Sequence, residues 1–336
     1  MMRYFWIGLF LIVLASCTTH NRDEEQQQAL NQKDSVEIVS RQILADSLNA
    51  GLYYQRSRLF FERGMLNQSL RDIGKAIQLN QDDEDFRLLL ADIYQGMNKF
   101  EDARRVLVSV ANQNHGNVKA NLKLAELELA MQNYGNALLR VRRALHADPN
   151  NAKAYYIEGY IHLEKGDTTR AMAGFTNSAA HKPDFKDPYF QLGRLYAHND
   201  DAKALDYYNA VLNIDPEDTQ AMYMMALYYQ EHEALEKAED IYHQILRIDS
   251  TQAPVLHNLG YIEMVYRQEY QKAILLFNKA IEKNPLFIQA WYNKGYCYEL
   301  LGNYQEARKH YQKTMEIQPN YPRAIEGLNR LDNVIY

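Results

Sequence analysis

The chain has two cysteines in 336 residues, too few for a disulfide framework. It contains no Cys-x-x-Cys and no paired-glycine loop of the kind that cradles a phosphate. His232-Glu233 opens like a zinc-protease motif, but Glu236 stands where the second histidine is needed. The ten histidines are scattered, and three of them, His115, His146 and His181, fall around inter-repeat turns. From these absences we expect no enzyme: no catalytic residue, no metal and no cofactor. Net charge is only −6, with acidic and basic residues interspersed. Without a basic stripe, nucleic acid is not an expected partner. Long apolar runs are also missing, apart from Tyr4 to Ala15. That run makes roughly 18 Å of helix, short of a ~30 Å hydrocarbon core, so residues 1–16 read as a signal peptide and not as a spanning helix.

What the sequence does have is a period. Ile288 to Tyr321 reads as two short helices, with Gly302 at a left-handed C-cap and Pro319 after the second helix. Large residues at Trp291, Tyr298 and Tyr311 alternate with small ones at Gly295 and Ala307. The same unit recurs at 50–83, 84–117, 118–151, 152–185, 186–218, 219–252, 253–287 and 288–321. The small residue of the first helix is Ser57, Ala91, Ala125, Gly159, Gly193, Ala226, Gly260 and Gly295. That of the second is Ser69, Ala103, Ala137, Ala171, Ala204, Ala238, Ala273 and Ala307. A proline closes five units, at Pro149, Pro183, Pro216, Pro285 and Pro319. Small residues so placed let two helices approach closely, and a single unit cannot bury its own apolar face.

This pattern resembles the tetratricopeptide repeat (TPR) over about four fifths of the chain. The last unit departs from it at Lys294, where leucine is usual, and at Thr314, which replaces a second small residue. The resemblance implies an all-α fold, a right-handed superhelix of eight helix-turn-helix repeats. Arg87 and Asn121 occupy the position of Trp291, so the second and third repeats are expected to pack least well. The fifth unit is one residue short near His198–Asp201 and the seventh one longer around Tyr266–Gln271, both in the turn between helices. Cys297 aligns with Leu59, Ile93, Leu127 and Ile161, which predicts a buried apolar role.

Residues 35–49 carry Val36, Val39, Ile43 and Leu44 at helical spacing and predict an N-terminal helix. Residues 322–336 predict a C-terminal capping helix, begun by Pro322, with a stripe of Ala324, Ile325, Leu328, Leu331 and Ile335. Leu14-Ala15-Ser16-Cys17 resembles the lipobox of bacterial lipoproteins. That resemblance implies cleavage before Cys17, acylation of its sulfur and new amino terminus, and a stable anchor, because several chains exceed the marginal grip of one. Residues 17–34 then read as a flexible polar tether. Asp23-Glu24-Glu25 is either a solvated charge run or, by resemblance, a surface-export signal of Bacteroidetes lipoproteins. No aspartate follows Cys17 directly, which by the same analogy favours the outer membrane, on its periplasmic or surface face.

By the TPR resemblance the first helices line the concave face. Two positions four residues apart share that face. The first runs Tyr54, Leu88, Leu122, Tyr156, Phe190, Tyr223, His257 and Tyr292; the second runs Arg58, Asp92, Glu126, Tyr160, Arg194, Leu227, Tyr261 and Tyr296. Tyrosine offers large area, few rotamers and a hydroxyl, which suits an extended peptide or protein segment. Tyr54, Tyr156, Tyr160, Phe190, Tyr223, Tyr261, Tyr292 and Tyr296 are therefore the candidate groove, unless the rings pack between repeats. Neither row holds the Lys and Asn of the familiar carboxylate clamp. The expected function is a lipid-anchored scaffold for protein partners in an envelope assembly, such as secretion or envelope biogenesis. Capture of a glycan, on which tyrosines also stack, is the alternative.

Overall fold

The computed structural model describes residues 35–334. The signal peptide, Cys17, the tether and Ile335 lie outside the described residues. Within them every regular element is a helix, and consecutive helices pack as hairpins. The chain divides into two compact units, one ending at Pro149 and one beginning at Asn150.

In the first unit α1 (35–45) precedes three hairpins. These are α2 (Ala50–Glu62) with α3 (Leu66–Leu79), α4 (Glu84–Gly96) with α5 (Phe100–Gln113), and α6 (Val118–Ala130) with α7 (Tyr134–Ala147). The second unit has five more: α8 (Ala152–Glu164) with α9 (Thr168–His181), α10 (Lys186–His198) with α11 (Lys203–Ile214), and α12 (Thr219–Glu231) with α13 (Leu235–Ile248). Then come α14 (Ala253–Val265) with α15 (Tyr270–Lys283), α16 (Ile288–Leu300) with α17 (Tyr304–Ile317), and finally α18 (Pro322–Val334). The fold is thus the all-α TPR arrangement of eight hairpins with a helix at each end.

Local chemistry sets these boundaries. Asp83, Asn117, Asn151 and Asp218 precede first helices, and each side chain accepts from the amide three residues on. Inside every hairpin one residue is left-handed, the conformation that turns the chain back. Gly64, Gly166 and Gly302 fill three of these places, while Asn98, Gln132, Asp200, Glu233 and Gln268 fill the other five.

The columns of small residues form the seam of each hairpin. Ser57 and Ser69, both fully buried, exchange hydrogen bonds with one another's carbonyls at 2.8 Å. In the second unit glycine takes the place of Ser57 in four of the five hairpins, and rings lie on top. A Cβ at Gly159 would sit 2.7 Å from the Phe175 ring, and one at Gly193 only 2.6 Å from the Tyr208 ring. Cys297 is buried in the same core, and burial pushes its thiol up to about 12.

Two expectations change and one holds in part. The helices of the second hairpin are the least closely packed of the eight, as expected, whereas those of the third pack as closely as the rest, and Ala91, Ala103, Leu107, Val110, Ala120 and Leu124 form one cluster across the two. The residues in place of Trp291 do its polar work. The Trp291 indole donates to the Pro285 carbonyl at 2.9 Å, Asn121 Nδ2 donates to the His115 carbonyl at 3.0 Å, and Arg87 donates to the Asp82 carbonyl at 3.3 Å. All three tie a first helix to the loop before it. The N-terminal helix stops at residue 45, and of its apolar set Leu44 is 86% exposed while Val39 and Ile43 are buried. The residue missing from the fifth unit comes out of the first turn of α11, which begins one residue before Ala204 where α9 begins three before Ala171.

Candidate partner-binding face

The two rows separate into different environments. In the first unit the face carries charge. Tyr54 stacks on Phe86 at 5.0 Å and lines a concavity of about 330 Å³ with Arg58, Asp85, Leu88, Asp92 and Lys123. Lys123 pairs with Asp92 at 2.6 Å and Lys119 with Asp85 at 3.2 Å.

In the second unit the face is aromatic. Each ring of the first row leans on the large buried residue of its own second helix. The pairs are Tyr156 on Phe175 (5.7 Å), Phe190 on Tyr208 (6.1 Å), Tyr223 on Tyr242 (6.1 Å), His257 on Phe277 (5.5 Å) and Tyr292 on Tyr311 (5.6 Å). Those five partners are fully buried, so the first row is a continuation of the core. The second row sits on it. Tyr160 meets Tyr156 edge-on at 4.9 Å, Tyr261 lies 6.5 Å from His257, and Tyr296 stacks on Tyr292 at 6.2 Å with the Arg330 guanidinium 5.9 Å from its ring. All seven candidate tyrosines and phenylalanines of this unit are half-buried. They keep one side open while the other is fixed by ring contacts.

Behind the rings runs a hydrogen-bonded chain that the sequence reading did not identify. Asn293 Nδ2 donates to His257 Nε2 at 2.9 Å, and His257 Nδ1 donates to Asn258 Oδ1 at 3.1 Å. Asn258 Nδ2 donates to the hydroxyls of Tyr242 (3.0 Å) and Tyr223 (3.1 Å), and Tyr242 donates to Gln230 at 3.0 Å. These partners assign the His257 proton to Nδ1. Gln230, Asn258 and Asn293 are all buried. Burial also holds the His257 imidazole below its ordinary 6.5 and raises the phenols of Tyr223 and Tyr242, so every member is neutral at pH 7. The sequence signal was the recurrence of asparagine at one repeat position, 258 and 293; nothing in it pairs either residue with a tyrosine one hairpin away.

Among the described residues no group of three or more His, Cys, Asp or Glu could hold a metal ion, and no helix is long and apolar enough to cross a membrane. What the face can do is bind: aromatic area, fixed in place, with polar edges.

Tetratricopeptide repeat models match residues 60–127, 122–184 and 288–321. The TPR repeat-containing protein MJ1428 of Methanocaldococcus jannaschii is 19% identical over 85% of this chain and 49% of its own length. The BBSome complex member BBS4 of Bos taurus is 25% identical over 51% of this chain and 33% of its own. The chain therefore spans a third to a half of these relatives. Among solved structures, the APC/C hetero-tetramer Cut9-Hcn1 superposes with a TM-score of 0.53 at 15% identity, over 89% of this chain and 58% of that one. At that identity the likeness concerns the fold.

Proposed function

We propose that this chain, an all-α tetratricopeptide-repeat protein in fold, is a non-enzymatic scaffold held to a bacterial envelope membrane by lipid on Cys17. Its partner is a protein or an extended peptide segment, bound on the aromatic face of residues 150–334. The observation that carries the reading is the shelf itself. Tyr160, Tyr261 and Tyr296 rest on rings that are anchored to buried second-helix residues, so a partner would meet pre-positioned aromatic area at little entropic cost. Scaffolding also agrees with the names of two similar proteins, a BBSome complex member and a component of a hetero-tetramer.

The anchor and the envelope setting rest on Leu14-Ala15-Ser16-Cys17, and the setting is a secretion or envelope-biogenesis assembly by analogy. Crosslinking in native membranes, with the full chain as bait, tests the proposal. An envelope protein should be captured, and its yield should fall when Tyr160, Tyr261 and Tyr296 are all changed to alanine. Retention on polysaccharide with no captured protein would contradict it.

A further inference from the structure

The first unit holds a second concavity, of about 250 Å³, away from the aromatic face. His115 and Gly116, from the loop between α5 and α6, form one wall; Arg142, Arg143 and His146, from the last two turns of α7, form the other. Arg142 and His146 are four residues apart and share one side of α7. The loop rests on the end of that helix, where a Cβ at Gly116 would lie 3.9 Å from the Ala147 methyl. No acidic side chain lines the concavity.

Two arginines and two histidines surround this hollow without a carboxylate, unlike several other cations of the unit. Arg56 is matched to Asp72 at 2.6 Å, Arg104 to Glu128 at 2.8 Å and Lys123 to Asp92 at 2.6 Å. Neither Arg142 nor Arg143 has an ion-pair partner among the described residues, whereas Glu84, which reaches the same loop, is occupied by Asn114 and Asn117. Positive charge accumulates on α7 itself. Arg140, three residues before Arg143, has its Nη1 buried without a partner, and its guanidinium is held below its ordinary value by burial and then by the charge of Arg143.

We propose that this hollow binds a phosphate-class dianion. A single carboxylate would match only one of the two lining arginines. A phosphate group carries close to two negative charges and three strong acceptor oxygens, and the planar forks of two adjacent arginines suit such oxygens. The same chemistry is offered by free phosphates and by the headgroups of anionic lipids.

Inorganic pyrophosphate titrated into the full chain by calorimetry should bind. The pair Arg142→Gln and Arg143→Gln should weaken that binding at least tenfold, and the pair Arg142→Lys and Arg143→Lys should weaken it less. Arg247→Gln, an exposed arginine on α13, should leave it unchanged, and matching melting curves would show the variants folded. Co-sedimentation with phosphatidylglycerol and with phosphatidylcholine vesicles, in a Cys17→Ser background, separates the sources. Selective, arginine-dependent retention on the first identifies a headgroup; pyrophosphate binding without retention identifies a free phosphate. No binding of either probe, or equal binding by the Gln pair, would overturn the proposal.

Discussion

Tyr208 and Tyr242 occupy the same place in successive hairpins, both fully buried, but only the Tyr242 hydroxyl is satisfied. Tyr242 donates to Gln230 at 3.0 Å and accepts from Asn258 at 3.0 Å, whereas the Tyr208 hydroxyl has no partner. A buried hydroxyl without a partner costs more than a hydrogen bond contributes. Tyr208→Phe should therefore raise stability by about 1 kcal/mol. Tyr242→Phe strands the buried Gln230 carbonyl oxygen and takes one of two acceptors from the Asn258 amide, and should lower it by about 1–3 kcal/mol. Chemical denaturation of both variants checks the pair, and a loss from Tyr208→Phe would contradict the assignment.

The small-residue seam makes a second prediction. A Cβ at Gly260 would lie 2.8 Å from the Phe277 ring and 3.2 Å from the Leu276 Cβ, and Ala238 is fully buried in the neighbouring hairpin. Gly260→Leu and Ala238→Leu should each cost roughly 1–3 kcal/mol. Melting is expected to broaden as well as shift, since a repeat array can open locally. Wild-type melting in both would refute the seam.

Acid sensitivity follows from two histidines. His257, enclosed by Asn258, Asn293, Tyr261, Phe277 and Phe287, is held below 6.5 mainly by burial. His310 is lowered to about 4, first by burial and then by Lys294, with Glu306 opposing. Both imidazoles bind protons more readily in the unfolded chain. Their contribution is fully present above pH 6.5 and is lost as pH falls from 6.5 toward 4. Carboxylates held low, such as Glu299, lose theirs below about pH 4.5. His310→Phe keeps the ring between Trp291 and Tyr298 and removes the titration. Its melting temperature should fall less than that of wild type between pH 6.5 and 4.5; parallel curves would rule His310 out.

The repeat could be read from sequence because it is a steric requirement. Where helices touch at Gly193 or Gly260 a larger residue strikes a ring, so composition at a fixed period reveals the contact. The turns were far less legible. Gly302 is a recognisable left-handed cap, but Gln132 and Glu233 adopt the same conformation without favouring it, and tertiary packing holds them there. The aromatic rows were visible as positions four apart. Their division was not, since it depends on Phe175, Tyr208, Tyr242, Phe277 and Tyr311 rising from the second helices. The chain through His257 and Asn258 was invisible because its bonds cross between hairpins. Leu44 failed for the opposite reason: helical spacing put it beside Ile43, but no later element covers it.

The anchor has its own test. Cys17→Ser should block lipid attachment and the specialised cleavage while leaving the repeats folded. Metabolic labelling with a fatty-acid analogue and detergent partitioning read both effects. Normal maturation with unchanged partitioning would exclude the lipoprotein reading.

Tyr160, Tyr261 and Tyr296 carry the central claim, and their outer sides are what a partner would touch. If they anchor it, Tyr→Ala should weaken binding by about 2 kcal/mol or more at a true hot spot. Tyr→Phe, which keeps the ring, should weaken it far less unless the hydroxyl bonds the partner. The decisive measurement is partner affinity and thermal stability on the same triple alanine variant. The account predicts a folded protein that has lost most of its affinity. Full affinity in a stable triple variant would contradict it and move the binding surface off these rings.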